Sequence, residues 1–142
     1  MKPIGWAERL RGVHEQLTKS GGDPSGVSAY LGKKYGYTPE IGASAAERVA
    51  AGLTALGARL EQQKARGSRF FIGDSLSAMD IYWAAFSNML KPLSLELMPM
   101  HERMRAMFTT TDPTVVGALK PILIEHRDFI FKNYLELPID LS

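Results

Sequence analysis

Apolar residues recur along most of this chain at the three- and four-residue spacing of a helix with one buried stripe, and no stretch alternates long enough to demand a strand. After Pro3, whose fixed φ suits a first helical position, Trp6, Leu10, Val13 and Leu17 fall at i, i+4, i+7 and i+11. Gly21-Gly22-Asp23-Pro24 ends this segment. Asp23 before Pro24 is expected to cap a second short helix carrying Val27, Tyr30 and Leu31, which Tyr35-Gly36-Tyr37-Thr38-Pro39 interrupts.

A longer helix follows. Two starts compete: Thr38 as cap with Pro39 in the first turn, or the Ser44-Ala45-Ala46-Glu47 capping box, the earlier being preferred. Its stripe, Val49, Leu53, Leu56 and Leu60, is padded by Ala46, Ala50 and Gly57, small residues that let another helix approach closely, and Gly67 stops it. From Ser77 the pattern is apolar on nearly every face (Met79, Ile81, Tyr82, Trp83, Phe86, Met89, Leu90), which predicts a central helix. Pro92 and Pro99 bracket an irregular connection, and Met100, Met104, Met107 and Phe108 mark a further amphipathic helix. Asp112-Pro113 caps the last, which runs through Val116, Leu119, Leu123, Ile130 and Tyr134 to Pro138. Pro121 lacks an amide proton and crowds the carbonyl of Gly117, so a kink or break is expected there. The pattern predicts an all-α helical bundle, and 142 residues suit a single domain over 1–142.

Composition narrows the chemistry. Seventeen basic and 15 acidic side chains nearly cancel to a net charge of +2, which gives nucleic acid no concentrated field to meet. The absence of cysteine removes disulfides, thiolate metal sites and thiol nucleophiles, and fits a reducing cytoplasm. Charge and proline near the N-terminus argue against a signal peptide, and no apolar run is long enough to span a membrane.

One motif is specific. Gly73-Asp74-Ser75-Leu76-Ser77-Ala78-Met79-Asp80-Ile81 holds two devices for starting a helix that agree on where it starts. Ser77 is the N-cap, its hydroxyl placed to accept from the Asp80 amide while the Asp80 carboxylate reaches back to the amide of Ser77. Leu76 and Ile81 stand at the positions of a hydrophobic staple, and Asp80 sits at the positive end of the helix dipole. The run G-D-x-L-S-x-x-D-I before an apolar helix resembles the N-capping box and staple that open the central helix of the C-terminal, all-helical domain of glutathione S-transferases. The order of elements agrees over essentially the whole chain, with Met79 standing where the family often has Ala.

The resemblance implies a binding role. In that family the box supports folding, and an N-terminal thioredoxin-like domain holds glutathione and supplies the group that activates its thiol. No strand–helix–strand pattern precedes Trp6 here, so no catalytic residue and no cofactor is assigned to this chain; glutathione belongs with a thioredoxin-like domain where one is present. The helical domain contributes a wall of the hydrophobic acceptor pocket and part of the dimer interface. The expected partners are therefore a second copy, a thioredoxin-like domain and a hydrophobic small molecule, with no nucleic acid and no membrane. The first helix is the expected ligand-facing element, with Trp6, Arg9 and Val13 lining the pocket. A stand-alone helical protein-interaction module is the alternative.

Other constellations point less far. His14, His101 and His126 are too scattered for a local metal site. In Glu125-His126-Arg127-Asp128 neighbouring side chains point in different directions, which makes His126 a core-edge histidine with a partner. Lys33-Lys34-Tyr35-Gly36-Tyr37 is one short basic-aromatic cluster, Gly21-Gly22 lacks the strand and lysine of a phosphate loop, and Met98, Met100, Met104 and Met107 read as core filler. If Ser77 caps the helix, Ser77→Ala costs about 1 kcal/mol in chemical denaturation, and an unshifted midpoint rejects the cap.

Overall fold

Local chemistry places most of the helix ends. A computed structural model describes residues 4–23 and 25–139, and among these it holds eight helices and no strand. They are α1 (Ile4–Lys19), α2 (Val27–Tyr35), α3 (Pro39–Ala43), α4 (Ala45–Ala65), α5 (Ala78–Ser87), α6 (Glu102–Phe108), α7 (Pro113–Ala118) and α8 (Pro121–Tyr134). The chain divides into two compact units, Met1–Gly52 and Leu53–Ser142, with the boundary inside α4.

In the first unit α1 packs on α2 and α3. Ala7, Leu10 and Val13 of α1 are buried, with Ala45 and Val49 of α4 also in the core. The polar side of α1 is laced by ion pairs. Arg11 grips Glu8 through Nε and Nη2 (2.7–3.1 Å) and reaches Glu15 through Nη1 at 3.1 Å, while Lys19 meets Glu15 at 2.6 Å. Glycines set how closely these elements approach. A Cβ on Gly42 would stand 2.5 Å from both His14 Nδ1 and Tyr37 Cε2, two rings joined by a 2.9 Å hydrogen bond between Nδ1 and Oη. A Cβ on Gly52 would meet Ile4 Cδ1 at 2.8 Å.

The long helix begins at Ala45 and not at the preferred Thr38, and Ser44 closes α3 instead of boxing with Glu47, its hydroxyl donating to the Ile41 carbonyl at 3.2 Å. Thr38 Oγ1 accepts from the amide of Ile41 at 3.2 Å and Pro39 opens α3, but the helix breaks at Ser44 and α4 begins afresh at Ala45. Asp23 does not cap α2. Its carboxylate holds the amide and hydroxyl of Ser25 at 2.9 and 2.7 Å, and Gly26 stands at the N-cap without a side-chain bond. Pro3 and Pro24 lie outside the described residues.

In the second unit α5 packs on α8. The indole of Trp83 donates to the Leu123 carbonyl at 2.9 Å, and Ala84, Leu93, Met98, Ile130 and Phe131 form an apolar cluster. Pro121 breaks the final helical run as its chemistry requires. Asp112 caps α7, the chain turns at Leu119 and Lys120, and Pro121 takes the first turn of α8. Gly67, at φ 82°, stops α4.

Two further expectations are corrected. α5 is not enclosed: Ala78, Ile81, Tyr82 and Ala85 share an exposed face, with Tyr82 70% exposed, because α5 buries only the side that Asp80, Trp83, Ala84 and Ser87 occupy. The methionines are not all filler. Met98 is buried and Met100 packs on the cluster, but α6 buries none of its residues and Met107 is 71% exposed. Gly42→Ala is expected to lower stability by about 1–3 kcal/mol, because two packed rings must move; an unchanged thermal midpoint disproves the close approach.

Candidate functional site

The first-helix residues divide by burial. Val13 is core at 5% exposure. Trp6 is half-buried and its indole nitrogen donates to the Tyr35 carbonyl at 3.1 Å, with the Arg48 guanidinium 5.4 Å from its ring centroid. Arg9 is exposed, its guanidinium 5.6 Å from the centre of the Tyr35 ring. Trp6 and Arg9 thus converge on one residue, Tyr35, where a cation and two aromatic rings offer an amphipathic surface.

The capping motif does more than start a helix. Both halves of the Ser77–Asp80 box are present, and Asp80 Oδ2 accepts from the Ser77 amide at 2.8 Å and from its hydroxyl at 2.6 Å. The other oxygen, Oδ1, accepts from the amide of Phe71 at 2.9 Å and pairs with His126 Nε2 at 2.8 Å. Asp80 is fully buried, so one carboxylate joins the loop before α5, the start of α5, and α8. Leu76 packs on the apolar cluster, whereas Ile81 lies on the exposed face of α5.

Next to this node lies an open cavity of about 260 Å³ lined by Leu60 and Lys64 of α4, Ser68 and Arg69 of the following loop, and Ile122, Glu125, His126 and Phe129 of α8. The loop is held rigidly against α4. Gln63 donates to the carbonyls of Phe70 and Gly73 at 2.9 and 2.8 Å, Arg59 to that of Phe71 at 2.8 Å, and the Ser68 hydroxyl to that of Gly73 at 2.7 Å. The Arg69 guanidinium lies 3.7 Å from the centre of the Phe129 ring. Among the described residues no three His, Cys, Asp or Glu side chains group as a metal site.

His126 was legible in the sequence as a partnered histidine, but its partner, 46 positions away, was not. Leu60, Lys64, Ser68, Arg69, Ile122 and Phe129 carried no site signal, because they come from two segments far apart in the chain that only the fold assembles.

Electrostatics fix the protonation of the pair. Burial pushes the Asp80 carboxyl up, but the hydrogen bonds from Ser77, Phe71 and His126 outweigh it and hold it below the usual aspartate range. Burial pushes His126 down; its bond to Asp80 and that carboxylate's charge oppose this, the charge of Arg69 adds to it, and the net shift is downward. The resting pair is therefore carboxylate and neutral imidazole. Nε2 carries the proton that Asp80 accepts, and Nδ1 is a bare acceptor, buried and without a hydrogen-bond partner.

Both native values are depressed, so the unfolded chain binds more protons and acid destabilises the fold. Stability is full above the ordinary histidine value of 6.5 and declines below it as His126 is driven to charge. The expected slope is at most about 1.4 kcal/mol per pH unit from this residue, read by urea denaturation between neutral and mildly acidic pH, and it is lost in His126→Gln. An identical slope in the variant rules His126 out as its source. No family of known proteins, no curated protein and no solved structure matches this chain.

Proposed function

We propose that this chain is a helical binding domain of the glutathione S-transferase C-terminal type, which contributes a hydrophobic-ligand surface and a dimer or domain interface and performs no conjugation by itself. The observation that carries the reading is the Ser77–Asp80 box, its carboxylate also holding the Phe71 amide of the preceding loop, at the head of a helix packed on a later one. The motif by which the sequence resembles that family is thus a working cap.

The ligand surface lies at Trp6 and Arg9, beside Tyr35, with Val13 supporting them from the core. A thioredoxin-like domain or a second copy is the partner, and glutathione is held by the thioredoxin-like domain. No helix among the described residues is long and apolar enough to cross a membrane, and the cysteine-free composition suits a reducing cytoplasm.

One observation favours the second reading, a stand-alone interaction module: the exposed face of α5, with Tyr82 and Ile81 at its centre, is the kind of surface a protein partner covers. Titration of isotope-labelled chain with a hydrophobic glutathione thioether separates the readings. Amide shifts clustering at Trp6, Arg9 and Tyr35, with no turnover of glutathione and an aryl halide above the uncatalysed rate, are expected. Turnover by this chain alone, or shifts that avoid α1, overturns the proposal.

A further inference from the structure

A second binding site is written into the cavity beside α8. Its wall is apolar at Leu60, Ile122 and Phe129, and its rim carries Lys64, Arg69 and Glu125, none of which makes an ion pair with a described residue. The remaining polar wall is Ser68, whose hydroxyl already donates to Gly73, and His126. His126 is 94% buried, held by Asp80 at one nitrogen and unpartnered at the other. A buried acceptor left without a donor costs free energy comparable to a lost hydrogen bond, so a ligand supplying that donor recovers it.

Three features select the ligand. A lone pair at Nδ1 calls for a donor, which excludes a carboxylate. Two cations against one carboxylate at the rim favour a donor whose oxygen becomes more negative as it shares its proton in a hydrogen bond, a weakly acidic hydroxyl that stays protonated. An apolar cavity of about 150 Å³ is large enough for benzene, so about 260 Å³ takes a substituted benzene ring. We propose that this cavity binds a small phenol, its ring against Leu60, Ile122 and Phe129 and its hydroxyl donating to Nδ1 of His126. The cavity is open but Nδ1 itself is closed off from water, so the hydroxyl reaches it once the side chains over that atom shift, a rotamer change common on binding.

The site uses none of the α1 residues assigned above and stands independently of the family reading. The test uses the full chain and two probes of nearly equal shape, 4-ethylphenol and 1-ethyl-4-fluorobenzene, the second lacking the donor. With 4-ethylphenol, amide shifts are expected over residues 60–69 and 122–129, and the Nδ1 resonance of His126 is expected to move while that of Nε2 stays. The fluoro analogue is expected to bind about fivefold more weakly, the effect of one net hydrogen bond. Equal affinities, an unmoved Nδ1 resonance, or shifts elsewhere overturn the proposal. Ile122→Trp, at a half-buried wall position, should fill the cavity and weaken 4-ethylphenol about tenfold; unchanged binding by the folded variant is also fatal. Should that variant not fold, the probe pair on the unaltered chain still decides.

Discussion

The second unit depends on a single carboxylate. Asp80 receives four donors across two oxygens, and those donors come from three places: the loop at Phe71, the cap at Ser77 and α8 at His126. A buried charge survives only when its lone pairs are answered, and leaving such a charge unpaired typically costs about 3–5 kcal/mol. Each donor's position is therefore constrained by the others. The loop cannot drift without exposing the carboxylate, and α8 cannot rotate without withdrawing the imidazole.

The first unit obeys a different constraint, the absence of side-chain volume. Gly42 lies where His14 and Tyr37 come within 2.5 Å of the space a Cβ would fill, and Gly52 where Ile4 does so at 2.8 Å. At both points a side chain of one element packs directly on the glycine backbone of another. Two polar pairings reinforce that contact, Trp6 to the Tyr35 carbonyl and His14 to Tyr37, both anchored on aromatic residues near the end of α2. One unit is thus held by a polar knot inside an apolar shell, the other by close approach.

The knot also shapes the chemistry beside it. By holding the proton on Nε2, Asp80 leaves Nδ1 of His126 as a fixed acceptor, and burial with the nearby Arg69 keeps the ring neutral. An imidazole so oriented beside an apolar, cation-rimmed cavity is prepared to receive a hydrogen bond. The capping residue that starts α5 therefore sets the tautomer of a histidine on α8, and folding and binding share one residue.

Much of the fold was legible in the sequence, because capping and helix-breaking are local. Asp112-Pro113, Gly67 and the break at Pro121 act through a residue's own backbone or within one turn, and each stands where its chemistry put it, whereas Thr38-Pro39 opens only the short α3 and the long helix starts at Ala45. The Ser77–Asp80 box was legible for the same reason, and His126 could be read as partnered from its place on a helix. Periodicity failed where burial depends on what lies opposite. α5 looked apolar all round but covers only one side, and Met104 and Met107 follow a helical stripe that no core meets. Tertiary structure alone decided that Asp80 would meet Phe71 and His126, and that Leu60, Arg69, Ile122 and Phe129 would line an open cavity. Hydrogen bonds and walls between distant segments depend on the path of the chain in space, which no local pattern of residues records.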